Sequence, residues 1–140
     1  MNLFVYGTLM VPQVMHAVCG FTAAAEPAVL QGHRRRRVRG EVYPGIVASQ
    51  GEQVEGMLYR GLTDRHLSRL DEFEGEMYRR SSVEVEAGNT GVPAFAYLMA
   101  PAFVDALSND FWSLDAFVTH ALPDFLEAYP GFDRTAAGHG

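Results

Sequence analysis

The chain has 140 residues, 48% hydrophobic and 20% charged, with a formal net charge of −6; this is the length and mix of one globular domain and a poor charge for gripping nucleic-acid phosphates. All 11 basic residues are arginine, so Schiff-base lysine chemistry, pyridoxal-phosphate catalysis and a Walker-type phosphate loop are excluded. The single cysteine, Cys19, rules out an internal disulfide and a cysteine-rich zinc site, and no apolar run reaches the roughly 18 residues of a membrane-spanning helix.

Residues 2–6, NLFVY, form a short apolar run closed by Gly7, the pattern of a buried strand. The segment before Gly7 has neither a basic region nor a signal-length apolar stretch, so it reads as the start of the fold and the expected location is cytoplasmic. In residues 12–19, Val14, Met15, Val18 and Cys19 recur at helical spacing, with Pro12 suited to a first turn and Gly20 to a stop. Strand-like pieces follow: Val29–Leu30 leading into His33–Arg39, then Glu41–Tyr43, a turn at Pro44-Gly45, Ile46–Ala48, a loop around Gly51, and Gln53–Tyr59. Thr63 is a good N-cap with Asp64 in the first turn, and the helix DRHLSRLDEFE ends at Gly75. Ser81–Ala87 alternates with period two, Asn89–Gly91 suits a hairpin turn, and Val92–Met99 returns, with Pro93 at an edge or strand start. Residues 101–133 read as a helical tail, capped by Ser113 and started or kinked by Pro123. Residues 134–140 look like a frayed end.

The sum is one α+β domain over residues 1–133. It holds six or seven short, mostly antiparallel strands curled toward a small barrel, with flanking helices.

Two features carry chemistry. On the 63–74 helix, Leu67, Leu70 and Glu74 share one arc at 100° per residue, while Glu72 points well away. Glu74 thus stands where a fourth hydrophobe belongs, at the negative end of the helix dipole. Both effects raise a carboxyl pKa toward the range of a neutral-pH acid or base. The alternative is a surface glutamate paired with Arg79 or Arg80. The second feature is the loop Tyr6-Gly7-Thr8-Leu9, which can converge backbone N–H groups on an anion or be a plain turn with Gly7 at positive φ. Elsewhere, His16, His33, His66, His120 and His139 have no metal spacing. Arg34–Arg37 with Arg39 read as a solvated basic strand, Arg35 and Arg37 on one face. Phe111, Trp112, Phe117, Phe125 and Tyr129 read as core or dimer packing.

In order along the chain stand VYGTL within the first ten residues, YPG at 43–45, VEG-x-LY at 54–59 and LDEFEGEMYRR at 70–80. This set resembles the γ-glutamylcyclotransferase-like, or AIG2-like, family over about residues 3–99. The resemblance implies a small mixed β-barrel flanked by helices. It implies that the backbone amides of Tyr6, Gly7, Thr8 and Leu9 hold the carboxylate of a γ-glutamyl group, and that Glu74 is the active-site acid. Tyr78 matches the motif's pocket tyrosine, Arg80 its basic position, and Tyr43 with the Pro44-Gly45 segment a pocket wall. The implied reaction is attack of the substrate's own α-amine on its γ-carbonyl, releasing 5-oxoproline and an amine or amino acid. It needs no metal or cofactor. The expected partner is a small γ-glutamyl compound rather than nucleic acid or membrane, with a homodimer compatible. A non-catalytic ligand-binding or protein-binding module on the same fold is the alternative.

Overall fold

The computed structural model describes residues 1–128; Tyr129, His139 and the frayed end expected at 134–140 lie outside the described residues. Five strands close into a barrel: β1 (Leu3–Val5), β2 (Glu26–Arg37), β3 (Pro44–Tyr59), β4 (Tyr78–Ala87) and β5 (Thr90–Met99), in the spatial order β1-β3-β2-β4-β5. Neighbours pair antiparallel except β1 with β5, which pair in parallel at Leu3↔Phe95 and make the sheet mixed.

Five strands replace the six or seven expected, because two expected breaks are absorbed as a bulge. The β2–β3 ladder runs from Glu26↔Leu58 to Gln31↔Gln53, slips, and resumes at His33↔Ala48. Gly32 and Gly51 sit at the slip with φ of 74° and 85°, values that glycine adopts without steric cost. The chain therefore bends without ending either strand. Nor does a turn form at Pro44-Gly45: these residues open β3, where proline is tolerated. Glu41–Tyr43 lies in the connection before it rather than in a strand. Gly45 is needed there for room, since a Cβ would collide with Met99 Sδ and come within 2.8 Å of its Cγ. The β4–β5 hairpin turns at Gly88-Asn89, one residue earlier than expected, with Gly88 at φ 65°.

Helix α1 (Pro12–Cys19) starts on proline and stops at Gly20, whose φ is 79°. Helix α2 (Asp64–Glu74) is capped reciprocally: Thr63 Oγ1 accepts from the His66 N–H at 3.3 Å, and His66 Nδ1 accepts from the Thr63 N–H at 3.0 Å. The tail is only partly helical. A 3₁₀ turn spans Pro101–Ala106, residues 107–113 are irregular, and helix resumes as α3 (Leu114–Ala116), a π-helical turn (Phe117–Ala121) and α4 (Leu122–Ala128). Ser113 caps it, accepting from the Ala116 N–H at 3.3 Å. No helix among the described residues is long and apolar enough to cross a membrane.

The core has two parts, and β1 serves both. Phe4 and Tyr6 join Leu30, Ile46, Leu58 and Val85 in the barrel interior. Leu3 and Val5 face the other way, into a layer with Val14 and Val18 of α1 and Leu67, Leu70 and Phe73 of α2. Side chains alternate across a strand, so a strand covered on both faces must be apolar throughout. That is why residues 3–6 form an unbroken hydrophobic run. The chain leaving β1 lies beside the C-terminal end of α2, for residues 6–9 and Glu74 line the same cavity.

Candidate functional site

The helical arc folds as the pattern predicts: Leu67, Leu70 and Glu74 are all buried, and Glu74 is only 3% exposed. Its Oε2 has no hydrogen-bond partner among the described residues. Burial, reinforced by the negative charge of Asp71 one turn earlier, pushes the Glu74 carboxyl up to about 8. The surface ion pair is not formed. Arg80 Nε instead binds Asp71 Oδ1 at 3.0 Å, and Arg79 and Glu72 are exposed.

The β1 exit loop meets this carboxyl. Residues Tyr6, Gly7, Thr8 and Leu9, with Phe4, Val5, Glu74 and Tyr97, line a cavity of about 10 Å³, the room of one water-sized group. Thr8–Met10 forms a 3₁₀ turn closed by Met10 N–H to Gly7 O at 3.0 Å and Val11 N–H to Thr8 O at 3.1 Å. Gly7 is not at positive φ, as a plain turn would have it; its φ is −133°. Its missing side chain is required by close approach, since a Cβ would lie 2.8 Å from Pro44 Cγ. Pro44 is fixed in turn by Tyr78, whose hydroxyl donates to the Pro44 carbonyl at 2.7 Å.

Tyrosines surround the carboxyl. Tyr6 donates its hydroxyl to the Tyr97 carbonyl at 2.5 Å, and Tyr97 donates to Asp71 Oδ1 at 2.7 Å. Tyr43 and Tyr78 do not line the small cavity, but both feel the Glu74 charge. Burial first, then Glu41 and Glu74, push Tyr43 up to about 12; burial, Tyr6 and Glu74 push Tyr78 well above its ordinary value. All of these phenols stay protonated near neutral pH and serve as donors.

Two residues beside the loop escaped the sequence reading. Tyr97 lies in Val92–Met99, a segment read only as the returning strand of a hairpin. Strand alternation puts Arg35 on a solvated face with Arg37, yet Arg35 is half-buried, donating from Nη1 to the Tyr6 carbonyl at 2.7 Å and the Glu55 carbonyl at 3.1 Å. Arg37 does stay exposed, paired with Asp110 at 3.4 Å. Among the described residues, no three His, Cys, Asp or Glu side chains group as a metal cage needs.

The profile of the family described as "Gamma-glutamyl cyclotransferase, AIG2-like" matches residues 3–114. The chain belongs to this family. AIG2-like protein C of Arabidopsis thaliana is 33% identical over 136 residues, 94% of this chain and 77% of that protein. Protein AIG2 C of the same plant is 40% identical over 84 residues, 60% of this chain and 51% of its own length. The match thus spans about half of that relative. A solution structure of an Arabidopsis thaliana protein superposes with a TM-score of 0.70 at 30% identity, covering 92% of this chain and 79% of that one. A structure titled gamma-glutamyl cyclotransferase superposes with a TM-score of 0.64 at 21% identity, covering 99% of this chain and 93% of that one; this likeness is one of fold. The match to the cyclotransferase, AIG2-like family takes in every residue of the cavity and leaves the helical tail beyond residue 114 outside it.

Proposed function

We propose that this protein is a γ-glutamylcyclotransferase-type enzyme, converting a γ-glutamyl compound to 5-oxoproline and a free amine or amino acid, with Glu74 as its proton-transfer group. The observation that carries this reading is the buried Glu74 carboxyl, one oxygen unpartnered, facing the Tyr6–Leu9 loop across a cavity they share. A buried carboxyl without a partner destabilises a fold, and such groups concentrate at functional sites. Family membership supports the reaction class.

The chemistry follows from the residue types. The cavity takes one end of the substrate and leaves the rest at its mouth. Backbone N–H groups of the loop hold the α-carboxylate. The Glu74 carboxylate accepts a proton from the α-ammonium, and the freed amine attacks the γ-carbonyl carbon. A carbon–nitrogen bond forms within the same molecule and closes a five-membered ring, a reaction helped by holding the substrate folded. The protonated Glu74 returns the proton to the leaving nitrogen as the old carbon–nitrogen bond breaks, and the ring nitrogen gives up its second proton to the released amine, which departs as an ammonium. No water is consumed and no electrons change hands. A carboxyl with its pKa near the working pH suits both transfers.

The test is 5-oxoproline release from glutathione, γ-glutamyl dipeptides, γ-glutamyl amines and a γ-glutamyl-ε-lysine isopeptide. At least one should be turned over, and Glu74→Gln should lower kcat by about 10²–10⁴-fold while Glu72→Gln leaves it near the parent's. Full activity in Glu74→Gln removes the assignment. Absence of turnover on every compound puts a binding module ahead.

A further inference from the structure

Arg35 stands out among the arginines of β2. Arg36 is part-buried too, but it pairs with the Glu52 carboxylate at 3.5 Å and lies over the exposed Phe111 ring, and Arg37 pairs at the surface with Asp110 at 3.4 Å. Arg35 instead turns inward and places Nη1 on two backbone carbonyls, one of them that of Tyr6. Its guanidinium carbon lies 5.5 Å from the centre of the Trp112 ring. Trp112 is itself anchored, donating from Nε1 to the Val42 carbonyl at 2.7 Å and packing on Phe117 at 6.0 Å between ring centres. A guanidinium held on an aromatic face and bonded to carbonyls is a rigid, directional donor.

We infer that Arg35 is a positioning residue for the anion-holding loop, fixing the Tyr6–Gly7 peptide so that its N–H is presented to the cavity. A trans peptide is planar, with its C=O and N–H pointing in opposite directions. The carbonyl of this peptide is Tyr6 O, bound by Arg35 at 2.7 Å. Its N–H is that of Gly7, and both residues line the cavity. Drawing the oxygen toward Arg35 turns the hydrogen the other way. A cation on the carbonyl also polarises the amide and strengthens its N–H as a donor. Glycine at position 7 lets Pro44 pack directly against this peptide, since a Cβ there would stand 2.8 Å from Pro44 Cγ. This role rests on the proposed reaction, in which the loop amides hold the substrate carboxylate.

The test compares Arg35→Met, Arg35→Lys and Arg34→Gln, the last removing an exposed charge from the same strand. With an accepted γ-glutamyl substrate, Arg35→Met should raise KM about tenfold or more, the loss typical of one hydrogen bond to a charged group, with kcat within a few-fold. Arg35→Lys should fall between it and the parent, since an ammonium donates but lacks the planar fork. Arg34→Gln should match the parent. Without any ligand, the Gly7 amide resonance should move in Arg35→Met and stay in place in Arg34→Gln. The fluorescence of Trp112, the one tryptophan in the chain, should change with the first and not the second. An unchanged KM with an unmoved Gly7 resonance overturns the inference, as does an equal effect of Arg34→Gln. If the parent turns over no γ-glutamyl compound, the proposed reaction fails, and the Gly7 resonance alone decides whether Arg35 sets the peptide. If Arg35→Met does not fold, Arg35→Lys decides: a parental KM and Gly7 resonance refute the role.

Discussion

Replacing Glu74 by glutamine removes a buried carboxyl whose charge the fold resists, and stability should reveal this without any substrate. In the unfolded chain the carboxyl titrates near its ordinary 4.5; in the folded protein burial and Asp71 push it to about 8. Between those values the folded protein keeps a proton that the unfolded chain has released. Stability therefore falls as pH rises through this window and levels off above about 8. At about 1.4 kcal/mol per pKa unit, the gap sets an upper limit near 5 kcal/mol on the loss. Relaxation around the ionised group brings the expected loss to about 2–4 kcal/mol. Glutamine has the shape of the protonated acid and never ionises. The two proteins should be about equally stable at pH 5, and Glu74→Gln the more stable at pH 9. Denaturant unfolding at pH 5, 7 and 9 measures this as a difference in midpoint at unchanged slope. Other titrating groups are common to both proteins and cancel in the difference. Glu72→Gln, at an exposed position, should show no such divergence. Parallel loss of stability in the parent and Glu74→Gln from pH 5 to 9 would refute the claim that this carboxyl is held neutral by burial.

Gly7→Val should raise KM more than Thr8→Ala does, because a Cβ at position 7 would stand 2.8 Å from Pro44 Cγ and the wall must shift; steady-state kinetics on a folded variant decide it. Asp71→Asn should move the rising limb of the kcat/KM–pH profile to lower pH, since it removes the charge that raises Glu74 alongside burial while an amide oxygen can still accept from Tyr97; an unmoved limb would mean Asp71 does not act on Glu74.

The sequence carried much of the fold because its signals were local. Pro12 and Gly20 bracket α1, Thr63 and Gly75 bracket α2, and both helices form within those bounds. The strand boundaries in residues 26–59 were less legible. Gly32 and Gly51 look like loop residues one strand at a time, and become a bulge only when β2 and β3 are paired. Pro44-Gly45 is misleading in the same way. A Pro-Gly pair suits a turn locally, but here the glycine exists because Met99 of β5 packs against its Cα. A contact between residues far apart in the chain leaves no mark in a local pattern.

The two charged residues beside the cavity show the same divide at the site itself. Glu74 was visible because it interrupts something: a polar residue in an apolar stripe at helical spacing must either leave the stripe or be buried, and the helix gives it no way to leave. Arg35 interrupts nothing. Four arginines in a row erase the alternation by which one face of a strand is told from the other. The partners that draw Arg35 inward, the Tyr6 carbonyl and the Trp112 ring, come from the barrel's first strand exit and from the irregular segment before α3. Nothing in the arginine run distinguishes position 35 from 34 or 36. What distinguishes it is closure of the barrel, which brings the end of β1 beside β3 and within reach of one guanidinium. The family profile ends at residue 114, just after Trp112. The matched region therefore keeps the aromatic face on which Arg35 rests and leaves out the helical tail behind it.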